Sequence, residues 1–187
     1  EIFTTPEFIF TLSNNGTGEA SRNLHNWARN YQLKDGQGDR MTLLNNWENT
    51  YFTFDEELLG KLMKEAKHLG VDMFLLDDGW FGNKHPRNDD HAGLGDWEAM
   101  KSKLPGGIPA LVEKAKEAGV KFGIWIEPEM VNPQSDLFEA HPDWAIHYPN
   151  RETYYYRNQL VLDLSNPKVQ DFVFGVVDKI MTENPDV

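Results

Sequence analysis

Between residues 41 and 126, three short apolar segments alternate with two helical patterns. The segments "MTLLNNW", "VDMFLL" and "VKFGIWI" (41–47, 71–76 and 120–126) have the length and composition of buried strands. Strands that alternate with helices form a parallel sheet covered by helices. A doubly wound sheet and a (β/α)8 barrel both satisfy this pattern, and a barrel needs eight such units.

Capping residues predict where the helices begin and end. Asp55 is placed to cap the helix "EELLGKLMKEAKHLG", which Gly70 ends, and Gly119 ends a second helix, "IPALVEKAKEAG". In the first of these, four apolar residues recur at helical spacing: Leu58, Leu62, Ala66 and Leu69. Asn166 is placed to cap a third long helix, with Pro167 at its first position.

The first forty residues have a different character. Short β-type runs broken by Asn and Gly precede a short helical pattern, "SRNLHNWARNYQL", and a turn, "KDGQGDR". We therefore expect a boundary near Asp39, with one domain in residues 1–40 and another in 41–187. In the second domain, 81–104 reads as a long polar loop, "DLFEAHPDWA" as a short helix and "YYYRNQLVLDL" as an extended segment.

Composition excludes several classes of function. The 187 residues include 18 Lys and Arg against 30 Asp and Glu, a net charge of −12 that argues against nucleic acid and anionic membranes as partners. The lack of Cys excludes disulfides, thiol nucleophiles and cysteine-ligated metals. The six His form no zinc pattern and no phosphate-binding glycine motif occurs, so we expect neither metal nor cofactor. We expect a cytoplasmic location.

Trp, carboxylate and amide residues follow all three predicted strands. The segments are "NNWE" (45–48), "DDGW" (77–80) and "WIEPEM" (125–130). This combination suits a sugar, because hydroxyl groups need donors and acceptors and the apolar face of a pyranose rests on an aromatic ring. Structural interpretations remain open, in which the Trp residues belong to the core, an Asp caps a helix, and Glu127 and Glu129 lie in a solvated turn.

Several stretches together resemble glycoside hydrolase family 36, the α-galactosidase and raffinose-type hydrolases. They cover about residues 41–170 in the order of the family: "LLNNWENTYF", "FLLDDGWFG", "LGDW", "KLPGGIPALVEKAKEAGVKFGIWIEPEMVNP", "LFEAHPDWAIH" and "RNQLVLDLSNPKV". The resemblance implies an α/β fold with about three units of a (β/α)8 TIM barrel, preceded by a remnant of a β-sandwich domain. It also implies action on terminal α-linked galactose of melibiose or raffinose type with retention of configuration, no cofactor, and a homo-oligomeric parent protein.

The resemblance also assigns five substrate-binding residues. Asp77 and Asp78 match a pair that binds galactose hydroxyl groups on the O4 and O6 side. Trp47 and Trp125 match aromatic residues of the sugar pocket, and Arg157 matches an arginine that reaches into it. Two buried acceptors at the axial O4 would reject a sugar that lacks the matching hydroxyl.

The catalytic carboxyl groups of the family find no match. A retaining glycosidase needs two of them about 5–5.5 Å apart. Asp77 and Asp78 are strand neighbours that point to opposite faces, so we assign neither. The resemblance places the nucleophile and the acid/base beyond Val187, and we expect an isolated chain without turnover. A galactosyltransferase of raffinose or stachyose synthase type, or a non-catalytic α/β domain with a flavodoxin-like sheet, remain alternatives.

Overall fold

The first compact unit of the chain contains one helix and no strand among its described residues. The computed structural model describes residues 2–184, and the chain divides into two units between Arg40 and Met41. Helix α1 (Thr17–Trp27) continues into a π-helical turn (Ala28–Gln32), which confirms the predicted helix but starts it four residues earlier. The β-type runs before it form no strand, because no described residue of this unit pairs with their backbone.

The second unit contains a three-stranded parallel sheet. Its strands are β1 (Leu43–Asn45), β2 (Met73–Leu76) and β3 (Lys121–Ile124), in the order β1-β2-β3. Leu44 pairs with Phe74, and Phe74 pairs with Phe122. All three strands are shorter than predicted: each begins one or two residues later, and β1 and β3 also end two residues earlier than predicted.

Two helices connect these strands. Trp47–Thr50 form a single turn, α2, and α3 (Glu56–His68) and α4 (Gly107–Ala118) follow β1 and β2. The Asp55 carboxylate accepts a hydrogen bond of 2.8 Å from the Leu58 amide, and Gly119 has a left-handed φ of 79°, so both predicted caps are confirmed.

The buried face of α3 is displaced from the predicted positions. Its buried residues are Leu59, Met63 and Ala66, whereas Leu58 and Leu69 are 36% and 75% exposed. Several registers of the apolar pattern fit the helix period, and packing on the sheet selects the one that places Met63 inside.

A smaller lobe follows β3. A two-stranded antiparallel ribbon pairs β4 (Met130–Val131) with β5 (Leu160–Val161). Helix α5 (Asp136–Ala140) and a 3-10 turn (Pro142–Trp144) lie between these strands, and α6 (Pro167–Glu183) follows them. The side chain of Asn166 caps α6, as predicted. The prediction that the catalytic carboxylates follow Val187 concerns positions outside the described residues.

The loop 81–104 is more than the predicted polar surface. Apart from glycines, it contributes six buried residues: Phe81, Arg87, Leu94, Trp97, Met100 and Leu104. Their spacing follows no helix or strand period, which is why the sequence pattern did not reveal them. The loop closes over the carboxyl end of β2, where the Met100 amide donates a 2.8 Å hydrogen bond to the Trp80 carbonyl.

None of the helices in the described part of the chain is both long and apolar enough to cross a membrane.

Candidate functional site

Hydrogen bonds join the carboxyl ends of the three strands at one edge of the sheet. The Asp77 amide donates to Asn46 Oδ1 over 2.8 Å, and the Asn45 side-chain amide donates to the Asp77 carboxylate. The Trp125 amide donates to the Leu76 carbonyl over 2.8 Å. The sequence placed carboxylate, amide and Trp residues at these ends, and the structure brings them together.

The two adjacent aspartates have different surroundings. Asp77 is half-buried, and its Oδ1 accepts a 2.7 Å bond from the Asp78 amide. Asp78 is only 4% exposed, and both of its oxygens meet Arg87: Nε–Oδ1 is 2.9 Å and Nη2–Oδ2 is 2.8 Å. A bidentate pair of this kind neutralises and orients a buried carboxylate. Each oxygen of Asp78 keeps a further lone pair for a hydroxyl group.

Arg87 is the site residue that sequence reasoning missed. Its side chain is fully buried, although it lies in a loop predicted to be long and polar. Arg side chains are rarely buried without partners, and here partners on three separate segments surround it. The sequence carried no signal for this beyond an arginine near an acidic run, because no local pattern indicates that Asp78, nine residues earlier, and Asn132, 45 residues later, fold around it.

Asn132 connects the loop after β2 to the segment before β5. Its Oδ1 accepts bonds of 2.9 Å from Arg87 Nη1 and from the Leu94 amide. Its Nδ2 donates to the Asp90 carbonyl over 3.1 Å and to the Asn158 carbonyl over 2.9 Å. The side chain is fully buried and uses all four of its hydrogen-bonding positions.

Arg157 lies in a tight turn with an unusual backbone. Tyr156 and Gln159 bridge across the turn, and both central residues have left-handed φ angles, 51° at Arg157 and 58° at Asn158. Asn tolerates this conformation, whereas for Arg it costs about 1–2 kcal/mol. Arg157 Nη2 donates to Asp90 Oδ1 over 2.9 Å. The strained backbone and the held guanidinium group both indicate a functional constraint on this residue.

Trp125 lies against an aromatic cluster. Its ring is 6.5 Å from that of Phe81, nearly parallel to it, and 6.2 Å from that of Trp97. Trp80 Nε1 donates a 2.9 Å bond to the Trp125 carbonyl. The side chain of Trp125 stays half-buried. The neighbouring aromatics therefore fix a ring that still has an accessible part, as a sugar platform requires.

Trp47 belongs to a second aromatic group on the other side of Arg87. Its ring meets Phe52 edge-on at 5.0 Å and Tyr51 at 5.3 Å. The Arg87 guanidinium carbon lies 5.7 Å from the centre of the Phe52 ring and 6.0 Å from that of Phe81. Arg87 thus lies between the two aromatic groups, each of which includes one of the predicted sugar-pocket tryptophans.

The interpretation as a solvated turn holds for Glu129 but not for Glu127. Glu129 is exposed, whereas Glu127 is half-buried and accepts a 3.2 Å bond from Gln159 Nε2. Burial is the main cause that raises the pKa of Glu127. The charge of Glu129 adds to the effect, and Arg157 and Arg87 oppose it.

The carboxylate of the "LGDW" motif has a structural role. The Asp96 oxygens accept bonds of 2.9 and 3.0 Å from the amides of Asp136 and Leu137, at the start of α5. Burial raises the pKa of Asp96, and these backbone bonds oppose the rise. Asp96 therefore fixes the smaller lobe to the loop after β2.

One group of side chains has the geometry of metal ligands. Ligand atoms of His85, Asp136 and Glu139 lie within 4.8 Å of one another. The ammonium group of Lys84 contacts both carboxylates. The charge of the Lys84 side chain thus already balances these carboxylates.

Comparison with known proteins identifies the family of the chain. Residues 2–186 match the sequence model of the melibiase family. The chain belongs to the melibiase family. It is 42% identical over 190 residues to a probable α-galactosidase G of Emericella nidulans, a match that covers 97% of this chain and 26% of the relative.

Solved structures agree with this melibiase assignment. The chain resembles a variant of the glycoside hydrolase family 36 α-galactosidase AgaA of Geobacillus stearothermophilus bound to 1-deoxygalactonojirimycin. The TM-score is 0.86 at 40% identity, over 91% of this chain and 24% of the other. A raffinose complex of the same enzyme gives 0.83 at 40%, over 89% and 23%. The resemblance to family 36 is confirmed, and the chain spans about a quarter of the length of the curated relatives that it matches.

Proposed function

We propose that this chain is the galactose-binding part of a longer retaining α-galactosidase that acts on raffinose-type oligosaccharides. The observation that carries the proposal is the group of charged and aromatic side chains at the carboxyl edge of the sheet. Asp78 and Arg157 are linked through Arg87 and Asp90. Asp77 accepts a bond from the Asp78 amide, and the Phe81 ring lies near both Arg87 and Trp125. The relative solved with raffinose supports the substrate class.

In this proposal, residues 41–187 form the first units of a (β/α)8 barrel and residues 1–40 are the end of a preceding β-sandwich domain. The strand order β1-β2-β3 supports a barrel, because consecutive strands of a barrel are neighbours, whereas a flavodoxin-like sheet starts with the order 2-1-3. The match to about a quarter of each relative supports a longer parent protein.

The five residues have distinct tasks in the proposed site. Asp77 and the outward lone pairs of Asp78 accept hydrogen bonds from the galactose hydroxyl groups on the O4 and O6 side. Arg157 donates to a further oxygen, and Trp125 and Trp47 contact the apolar faces of the sugar. Galactose is preferred over glucose because moving the O4 hydroxyl would leave a desolvated carboxylate oxygen unpaired.

Titration with galactose and with glucose, followed by NMR, tests this proposal on the chain itself. We expect shifts for Asp77, Trp125 and Arg157 with galactose and at least tenfold weaker binding of glucose. Asp77→Asn should weaken galactose binding about tenfold, the value of one hydrogen bond to a charged group. Asp171→Asn, at an exposed position of α6, is the matched control. Equal binding of the two sugars would contradict the proposal.

The chemistry requires two further carboxylates that we place outside this chain. The chain alone is therefore expected to show no hydrolysis of an aryl α-galactoside above background. Hydrolysis by the purified chain that Asp78→Ala abolishes would refute this assignment, because it would place the catalytic pair among the residues present here.

A further inference from the structure

Two charged residues of the proposed sugar site, Asp78 and Arg157, are linked through Arg87 and Asp90. Asp90 Oδ1 accepts a 2.9 Å bond from Arg157 Nη2 and lies 3.4 Å from Arg87 Nη2. The same Nη2 atom of Arg87 binds Asp78. A continuous series of ionic hydrogen bonds thus runs from Asp78 through Arg87 and Asp90 to Arg157.

We propose that Asp90 is a positioning residue that holds the Arg157 guanidinium group in its sugar-binding orientation and couples it to Asp78. This inference rests on the function proposed above and adds to it a residue with no assigned role. Asp90 is not a ligand in this proposal: it acts through Arg157.

The geometry separates this role from general stabilisation. The backbone of the turn is already held by Asn132, whose Nδ2 donates to the Asn158 carbonyl, and by the bridge between Tyr156 and Gln159. What Asp90 adds is the orientation of one side chain. Arg157 is 46% exposed, and Asp90 supplies the one charge-assisted bond that the structure gives its guanidinium group. Without it, the long side chain would regain rotamer freedom that sugar binding must then remove.

The charge of Asp90 also has a consequence for the sugar site. Arg87 and Arg157 are both cations, and Asp78 and Asp90 both anions, so the series alternates in sign and is close to neutral. Removal of the Asp90 charge leaves Arg157 facing Arg87 without an anion between them, which would turn its guanidinium group away toward solvent.

The first test uses Arg side-chain NMR on the chain, and it needs no sugar. In the unsubstituted chain we expect slowed rotation of both the Arg87 and Arg157 guanidinium groups. Asp90→Asn should free the Arg157 group and leave the Arg87 group slow, because Asp78 still binds Arg87. Asp89→Asn is the matched control, since Asp89 is exposed and, among the residues that the structure describes, its carboxylate bonds only His91. Free rotation of Arg157 in the unsubstituted chain, or slow rotation in Asp90→Asn, would overturn the proposal.

The second test asks whether Asp90 acts through Arg157. Asp90→Asn should weaken galactose binding about tenfold, and the same change in an Arg157→Gln background should weaken it less than twofold. Equal losses in both backgrounds would show that Asp90 acts independently of Arg157, and the proposal would then be wrong. If the unsubstituted chain binds no galactose, the proposed function fails, while the NMR test still decides whether Asp90 positions Arg157.

Discussion

The loop after β2 (77–104) and the segment before β5 (146–159) each supply an arginine to the candidate site, in opposite ways. Arg87 in the loop is fully buried and its guanidinium group bonds four other residues. The side chain of Arg157 in the segment is 46% exposed and, within residues 2–184, bonds Asp90 alone. Around Arg157, tyrosines project into solvent, and Tyr154 is 90% exposed.

The difference separates Arg87, which holds the candidate site together, from Arg157, which we propose contacts the sugar. A buried guanidinium group with satisfied donors is fixed by the fold, and its removal harms the fold first. An exposed one is free to meet a sugar and depends on its neighbours for orientation. The predictions below test this separation through stability, beginning with the largest effect.

Arg87→Met should destabilise the chain most. It leaves the Asp78 carboxylate buried without a partner, which costs about 3–5 kcal/mol of unfolding free energy. Urea denaturation followed by circular dichroism measures it. The double change Arg87→Met with Asp78→Leu should recover most of the loss, because it removes both charges.

Arg151→Met provides the control for that change. Arg151 is an exposed arginine of the other region, and its guanidinium carbon lies 5.8 Å from the Tyr148 ring. We expect its loss to change the unfolding free energy by less than about 0.5 kcal/mol. Equal effects of the two substitutions would remove the distinction between the two regions.

Asn132→Asp should cost about 1–2 kcal/mol, because it leaves two partly buried carbonyl groups, those of Asp90 and Asn158, without their donor. The side chain keeps its size, so the loss reports hydrogen bonding rather than packing. Gln134→Glu, at an exposed position two residues away, introduces the same charge without such bonds and should be nearly neutral. A small effect of Asn132→Asp would mean that the two regions are not joined through this side chain.

Glu127→Gln should change how stability depends on pH. The pKa of Glu127 is raised in the folded chain, mainly by burial, so its contribution to stability is present below the ordinary pKa of 4.5 and is lost as pH rises through the raised value. The variant should therefore gain stability relative to the unsubstituted chain between pH 4 and pH 7. The gain should stay below about 1 kcal/mol, because the group is half exposed to water.

Glu117→Gln is the matched control for the pH dependence, because Glu117 is exposed on α4. Thermal unfolding at a series of pH values gives both curves. A constant difference between Glu127→Gln and the unsubstituted chain across this range would show that Glu127 titrates as an ordinary surface carboxylate.

Local signals predicted the framework of the fold. The caps at Asp55, Gly119 and Asn166 are confirmed, and so are three parallel strands whose carboxyl ends meet. These features depend on residues a few positions apart, or on the rule that parallel strands end at one edge. The register of α3 was wrong at Leu58 and Leu69, because packing decided among faces that the helix period left open.

The supporting part of the site could not be predicted in this way. Arg87 and Asn132 are 45 residues apart in the chain. The burial of Arg87 depends on a loop without periodicity, and nothing in its neighbouring sequence indicates a buried cation. The residues proposed to contact the sugar lie in a recognisable motif, whereas the residues that hold them are visible only once the chain is folded.

Arg157→Met should have a small effect on stability, far below that of Arg87→Met, and completes the comparison. It removes one partly exposed ion pair with Asp90, so we expect a loss of about 0.2–1 kcal/mol. In the proposed site the same change removes a sugar contact and should weaken galactose binding about tenfold or more. Denaturation and galactose titration of both variants give the ratio of stability loss to binding loss. We expect this ratio to be large for Arg87→Met and small for Arg157→Met. A loss of stability at Arg157 as large as that at Arg87 would make Arg157 a second scaffold residue and would contradict its role as the arginine that meets the sugar.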